Sequence, residues 1–245
     1  MNPIPLTTCV LGFLLCVSSV AAHDEFVLDS RRATPGPRLD LIAVPPSSGQ
    51  AAHKYRLRIQ PGLPSNVLFR VLTKDFGHGF HTIASGFQLD ESGNLVTTEA
   101  VVSAQPLRLE EIVLDPGPYP RGAAWEVALV SADRAIRLFA KTIPYPISAR
   151  DGTCAVSLEL VSQRGDRFLA LGSGFIPGDE VSIESRYSGR VVQKRKQVSH
   201  EGMLPPDSLA HKAPGVDLIA RYTVKGQSCE VVVDYQWGEQ ALTRR

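Results

Sequence analysis

The chain has 245 residues, 43% of them hydrophobic and 21% charged, the composition of an ordinary globular protein rather than a disordered or collagen-like one. Lys and Arg number 26 against 25 Asp and Glu, a formal net charge of +1. That balance argues against nucleic acid as the main partner, because phosphate binding rests on a basic excess.

Residues 1–22 read as an export signal. From Leu6 to Ala22 there is no charged side chain, VLGFLLCV supplies an apolar core, and Val20-Ala21-Ala22 sets small residues just ahead of His23. The leading MNPIPLTT lacks Lys and Arg. The apolar run is shorter than the roughly 20 residues of a membrane helix. Leu14-Leu15 before Cys16 does not fit a lipoprotein signal, and no later stretch is long and apolar enough to span a bilayer. The expectation is a soluble exported protein, periplasmic or extracellular, with no transmembrane span. Residues 23–36, running into TPGP at 34–37, read as an irregular tail.

From there the chain shows no helical periodicity. Alternating or β-branched runs recur between Gly, Pro, Asn, Asp and Ser clusters, which predicts an all-β sandwich or barrel. In the first half the expected strands are Leu39–Val44, Tyr55–Gln60, Val67–Thr73, Phe80–Ala84, Thr97–Val102, Leu109–Leu114, Ala124–Ser131 and Ala135–Lys141. Between two of them lies Asp75-Phe-Gly-His-Gly-Phe-His81, the best candidate for chemistry or contact. Imidazoles and a carboxylate on a loop suit zinc, copper or acid–base work, since His titrates near neutrality. The two glycines and the odd spacing of His78 and His81 favour a plain strand connection, and a metal there needs a ligand from elsewhere. Asp75, His78, Phe80 and His81 are the possible ligand or partner contacts.

Other polar groups in this half read as structure. Asp90-Glu-Ser-Gly93 and Ser131-Ala-Asp133-Arg134 are turns rather than a calcium loop or part of a catalytic set. Glu110-Glu111 is a solvated acidic pair, and Trp125 belongs to the core. Ile143-Pro-Tyr-Pro-Ile147 is a stiff joint without ladder donors at its prolines. Ala149-Arg-Asp-Gly152 then turns into a second unit, so the domains are 37–147 and 148–238, followed by a tail at 239–245.

The second half predicts strands Cys154–Val161, Phe168–Ser173, Glu180–Arg186, Val191–Ser199, Leu218–Val224 and Cys229–Tyr235. Beyond the export signal two cysteines remain, Cys154 and Cys229. An even count in an oxidising compartment predicts a disulfide. Closing a loop of about 75 residues contributes roughly 4 kcal/mol in the chain-entropy account. Two isolated cysteines offer too few ligands for zinc. Lys194-Arg195-Lys196 reads as the exposed end of a strand.

The halves repeat one another. RLDLIAV, YRLRIQ, PGLPSN and VLFRVLTK follow in the order of AVSLELV, FLALGS, GFIPGDE and VSIESRY; QLDESGNL matches QVSHEGML, and RGAAWEVAL sits where PGVDLIARY sits. Landmarks in one order predict duplication of one unit. Gly172-Ser-Gly-Phe-Ile-Pro-Gly-Asp-Glu-Val181 resembles the turn of bacterial immunoglobulin-like modules, including the immunoglobulin-like, plexin and transcription factor group. The later Glu201-Gly-Met-Leu204, Pro214-Gly215 and Cys229-Glu-Val-Val-Val233 fit the same layout. The resemblance covers about residues 152–238, and 37–147 only through the repeat. It implies two tandem immunoglobulin-like β-sandwich domains and leaves function open. Gly174 and Gly178 are suited to positive φ, Pro177 presets a turn, and Asp179 is placed to bond a nearby backbone N–H.

No Gly-x-Ser-x-Gly, His-Glu-x-x-His or phosphate-loop pattern occurs. The reading is therefore a non-enzymatic binding, adhesion or assembly protein without a cofactor, whose partner is a protein or a cell-envelope glycan. A polysaccharide-binding module displaying Tyr119, Tyr145 or Trp237 is one alternative. A metal-binding protein or enzyme centred on His78 and His81 is the other.

Overall fold

The structure, a computed structural model, describes residues 28–45, 53–60, 62–97, 107–211 and 218–243. The export signal at 1–22 and most of the strand expected at Thr97–Val102 lie outside them. The described part is nearly all β, and its helical elements are 3-10 turns of three to five residues.

The first half holds β1 (Leu39–Ala43), β2 (Tyr55–Ile59), β3 (Phe69–Lys74), β4 (Phe80–Leu89) and β5 (Leu95–Thr97). It continues with β6 (Leu107–Arg108), β7 (Val113–Leu114), β8 (Trp125–Ser131) and β9 (Arg137–Thr142). They form a three-stranded sheet, β1-β2-β7, and a six-stranded one, β6-β5-β4-β3-β8-β9, antiparallel throughout. The second half holds β10 (Ile147–Asp151), β11 (Cys154–Leu160), β12 (Arg167–Ser173) and β13 (Glu180–Tyr187). After them come β14 (Arg190–Gln197), β15 (Leu204–Ala210), β16 (Ile219–Lys225) and β17 (Glu230–Gln236). Its sheets run β10-β11-β12-β15 and β14-β13-β16-β17.

Side-chain alternation explains these strands. In β11, Cys154, Val156, Leu158 and Leu160 are buried while Ala155, Ser157 and Glu159 face outward; in β17, Val231, Val233 and Tyr235 turn inward. β8 buries both faces. Val127 and Leu129 enter the main core, whereas Ala128 and Val130 join a second cluster with Leu72 and Phe80, covered by Leu28 and Phe139. The segment at 28–36, with a 3-10 turn at Ser30–Arg32, is docked: Leu28 covers that cluster, and Thr34 N–H donates to Arg137 O at 2.8 Å.

Two strands of the second half were not expected from the sequence, and in the first half β4 runs on to Leu89, past the expected end at Ala84. Ile147–Asp151, read as joint and turn, pairs along its whole length with β11; the turn is Gly152-Thr153, with Gly152 at φ +59°. β15 has the sequence LPPDSLA, whose prolines conceal it. Proline is tolerated there because β15 is an edge strand, and the register slips opposite Ala170 and Gly172, where the prolines supply no ladder donors. Leu109–Glu111 forms a 3-10 turn rather than the start of a strand. Gly238–Leu242 is another 3-10 turn with Ala241 buried, so the segment after β17 packs on the core.

The halves match in topology. Taken in chain order, β1-β2-β7 and β4-β3-β8-β9 correspond to β11-β12-β15 and β14-β13-β16-β17. The matched turns share their bonding. Asp90 Oδ1 accepts from the N–H groups of Ser92 and Asn94, and Ser199 Oγ from those of Glu201 and Met203. In both turns the same two backbone bonds close the loop, and Gly93 and Gly202 lie at φ +80° and +74°. The chains then part: β5 stays beside β4, whereas β15 crosses to the opposite sheet.

At one end of the second half Cys154 and Cys229 form a disulfide, Cα atoms 6.4 Å apart. The glycine-rich turn lies beside it. Gly174, at φ +76°, brings the chain so near Thr153 O that a Cβ would sit 2.0 Å from it. Phe175 is buried, and Asp179 accepts from the backbone N–H and the Nε2 of Gln227, both at 3.0 Å. The expected bond of Asp179 thus reaches a distant turn, not a near one.

At the other end the halves meet through backbone. Gly122 N–H donates to Tyr145 O at 2.7 Å, and Leu160 N–H donates to Gly122 O at 2.8 Å. Ala123 makes a parallel bridge to Leu160, so the approach to β8 extends the sheet beside β11. Pro144 is buried, and Lys141 Nζ reaches Glu159 Oε1 at 2.5 Å.

Candidate functional site

The Asp75–His81 motif is the hairpin between β3 and β4. Its backbone closes as a tight turn, His78 N–H donating to Asp75 O at 3.0 Å with Gly77 at φ +85°. The hairpin rests on three supports. Phe80, read as a possible contact, is 1% exposed and packs against Phe139 at 5.9 Å between centroids. It anchors the core and is withheld from any partner. Phe76 stands edge-on to Tyr119, whose hydroxyl lies 3.2 Å from Lys74 O. Gly77 O accepts from Gln163 Nε2 of the second half at 3.3 Å.

Asp75 and His78 project from this base and are exposed; His81 is half-buried on β4. His81 Nδ1 and Asp75 Oδ2 are 3.8 Å apart, an ion pair only when the imidazole is protonated. Among the described residues no group of three or more His, Cys, Asp or Glu is placed to hold a metal ion. The further ligand that a metal at the hairpin requires is therefore not supplied by them.

The expected stacking aromatics are mostly withdrawn. Trp237 and Tyr119 are 3% and 4% exposed. Tyr145 is half-buried at the joint, its hydroxyl donating to Gly117 O and its ring edge-on to His53. Trp125 is core, as expected. A cleft of about 310 Å³ opens in the first half, floored by Ile59, Leu63, Leu89, Leu95 and Leu109 and rimmed by Arg108.

Two buried polar clusters in the second half were missed by sequence reasoning. Asp207 on β15 receives Lys194 Nζ at 2.5 Å, Lys196 Nζ at 3.4 Å and the Tyr222 hydroxyl at 2.9 Å. Lys194 and Lys196 are thus not a free strand end: they point inward from β14 and tie one sheet to the other. Burial, then the Asp207 charge, pushes the Tyr222 hydroxyl's pKa far up. The second cluster surrounds His211, whose ring lies among Phe168, Tyr187, Tyr235 and Trp237 with centroids 4.3 to 6.2 Å away. Its Nε2 is 2.7 Å from the Tyr235 hydroxyl, and Nδ1 has no partner among the described residues. Burial lowers the His211 pKa to about 4, so the ring is neutral at pH 7. Alternation of Lys194 and Lys196 along a strand was the available signal for the first cluster. Asp207 and His211 were hidden by the proline-broken pattern around β15.

No protein-family model matches the chain, and no curated protein matches it in sequence. Nothing in these geometries positively indicates catalysis, and no helix among the described residues is long and apolar enough to cross a membrane.

Proposed function

We propose that the chain is an exported, non-enzymatic binding or assembly protein made of two duplicated immunoglobulin-like sandwiches, and that the β3–β4 hairpin contacts its partner. The common strand order and the twin Asp90 and Ser199 turns support the duplication. The disulfide fits an oxidising compartment.

The observation that carries the hairpin assignment is its support from below. Phe80 in the core, Phe76 on Tyr119 and Gln163 on Gly77 hold the tip, while Asp75 and His78 stand exposed at its end. A braced polar tip loses little entropy on binding, unlike a free loop. Two edge strands of the second half discourage strand addition: β15 carries Pro205-Pro206, and β14 carries inward lysines. Contact through the hairpin is thereby favoured over augmentation at those two edges.

The test is affinity capture from the envelope fraction with the full chain and with a D75A/H78A variant of unchanged thermal stability. The reading expects a protein or glycan retained by the parent and lost by the variant. Equal retention by both, or none by either, removes it.

A further inference from the structure

At one end the two halves differ. Without a gap, Arg58–Asn66 (RIQPGLPSN) matches Leu171–Asp179 (LGSGFIPGD), and Gly62 stands where the second half has Phe175. Phe175 is 3% exposed within the core, and its N–H donates to Gly202 O at 3.2 Å. The two loops are so close that a Cβ on Gly202 would come 2.8 Å from Phe175 O. That end of the second half is plugged. In the first half a Cβ on the matched Gly93 would meet nothing within 4 Å, and Leu89 is half-buried where its match, Val198, is 3% exposed. The cleft of about 310 Å³ opens at this place, where β2 and β4 end and β5 begins.

We propose that this cleft binds a single-chain carboxylate of medium length, its apolar tail on the leucine floor and its head on Arg108. The volume lies at the small end of the range for ligand sites, about 300–1,000 Å³, which suits one unbranched chain. Ile59, Leu63 and Leu89 line the cleft half-buried, with Leu95 and Leu109 buried among them. These side chains carry no polar atom, so the hydroxyls of a sugar seated there would lose water without gaining partners. An apolar tail loses nothing by the same transfer.

The rim supplies the contacts of the head. Arg108 is exposed and forms no salt bridge with a described residue. Its guanidinium can donate two parallel hydrogen bonds to a carboxylate. Gln60, Ser92 and Asn94 bring further donors to the rim. Glu110 is the opposing charge there, and the charge of Arg108 reaches Asp90 as well. Beside these acids a head with one negative charge is repelled less than a phosphate carrying nearly two. The cleft lies at the opposite end of β4 from the hairpin, so loss of either site leaves the other in place.

Amide shifts of the full exported chain, titrated with hexanoate, octanoate and decanoate, test the site. Saturable shifts are expected at Leu63, Leu89–Leu95 and Leu109, with affinity rising roughly three- to fourfold for each added methylene. Arg108→Gln should weaken octanoate about tenfold and leave 1-octanol unchanged, because only the carboxylate uses the guanidinium. Glu110→Gln should tighten octanoate about twofold by removing the opposing charge. Leu63→Trp, which fills the cleft, should abolish binding of both. Absence of saturable shifts with all three carboxylates overturns the proposal, and so do shifts scattered away from the cleft. Equal octanoate affinity in the parent and Arg108→Gln overturns it too. Should Leu63→Trp fail to fold, the variants at exposed Arg108 and Glu110 still decide the outcome.

Discussion

His211 is the side chain whose chemistry depends most on its neighbours. Its ring is 4% exposed, boxed by four aromatic side chains. Burial lowers its pKa from 6.5 to about 4, against a smaller opposing effect of the Asp166 charge. The unfolded chain therefore takes up this proton near pH 6.5, and the folded chain only near pH 4. Between those values protons favour the unfolded state. The stability is fully present above about pH 6.5, falls as the pH drops, and reaches its full loss below about pH 4; the gap corresponds to about 3 kcal/mol. Urea midpoints measured from pH 8 down to pH 4 should fall more steeply for the parent than for a His211→Asn variant, which cannot titrate. Parallel pH profiles would show that His211 is not the group responsible. Asp207 is the other buried polar centre of this half, a carboxylate held by two lysines and a tyrosine. Such a cluster specifies which sheets face each other more than it adds net stability.

Among the elements, the glycine-rich turn between β12 and β13 separates two effects that sequence treats alike. Gly174 and Gly178 have nearly the same dihedral, φ +76° and +77°. A Cβ on Gly178 meets nothing within 4 Å, whereas one on Gly174 would lie 2.0 Å from Thr153 O. Gly178→Ala should then cost about 1 kcal/mol, the strain of a left-handed backbone alone. Gly174→Ala should cost about 3 kcal/mol or more, because backbone must move away. Equal losses in chemical denaturation would contradict the close approach. The positive φ of both glycines was legible, since Gly-Phe-x-Pro-Gly-Asp is turn chemistry. The difference between them was not, because Thr153 is brought there by tertiary folding. Period-two alternation likewise revealed β2, β11, β13 and β17 to within a residue or two. It failed at β15, where Pro205 and Pro206 break the pattern, and at β10, whose Arg150 and Asp151 mimic a turn. Of the hairpin, the exposed Asp75 and His78 were visible as a candidate contact. The inward role of Phe80 depends on strand register, which that short stretch does not encode.

For the whole molecule the question is whether the halves behave as beads on a stiff string or as one cooperative body. The proline-rich joint suggested the first picture. The contacts across it favour the second: one hydrophobic cluster runs from Leu39 to Ala241 through both halves. Gly122 sits between Tyr145 and Leu160 and bonds to both. This glycine has φ +75°, and a Cβ there would lie 2.9 Å from Leu158 O and from the Ile147 side chain. Ile147 has some room to shift, but the Leu158 carbonyl is fixed within the β10–β11 ladder. A methyl group at residue 122 must therefore push its own segment away, breaking the Tyr145 and Leu160 bonds while leaving each half's sheets intact. We expect calorimetry of the parent to give a single unfolding transition whose calorimetric and van't Hoff enthalpies agree. In Gly122→Ala the transition should split in two, with the disulfide-closed half melting at the higher temperature because its unfolded chain remains constrained. A parent that already melts in two steps would mean that the Gly122 bridge carries too little energy to couple the halves.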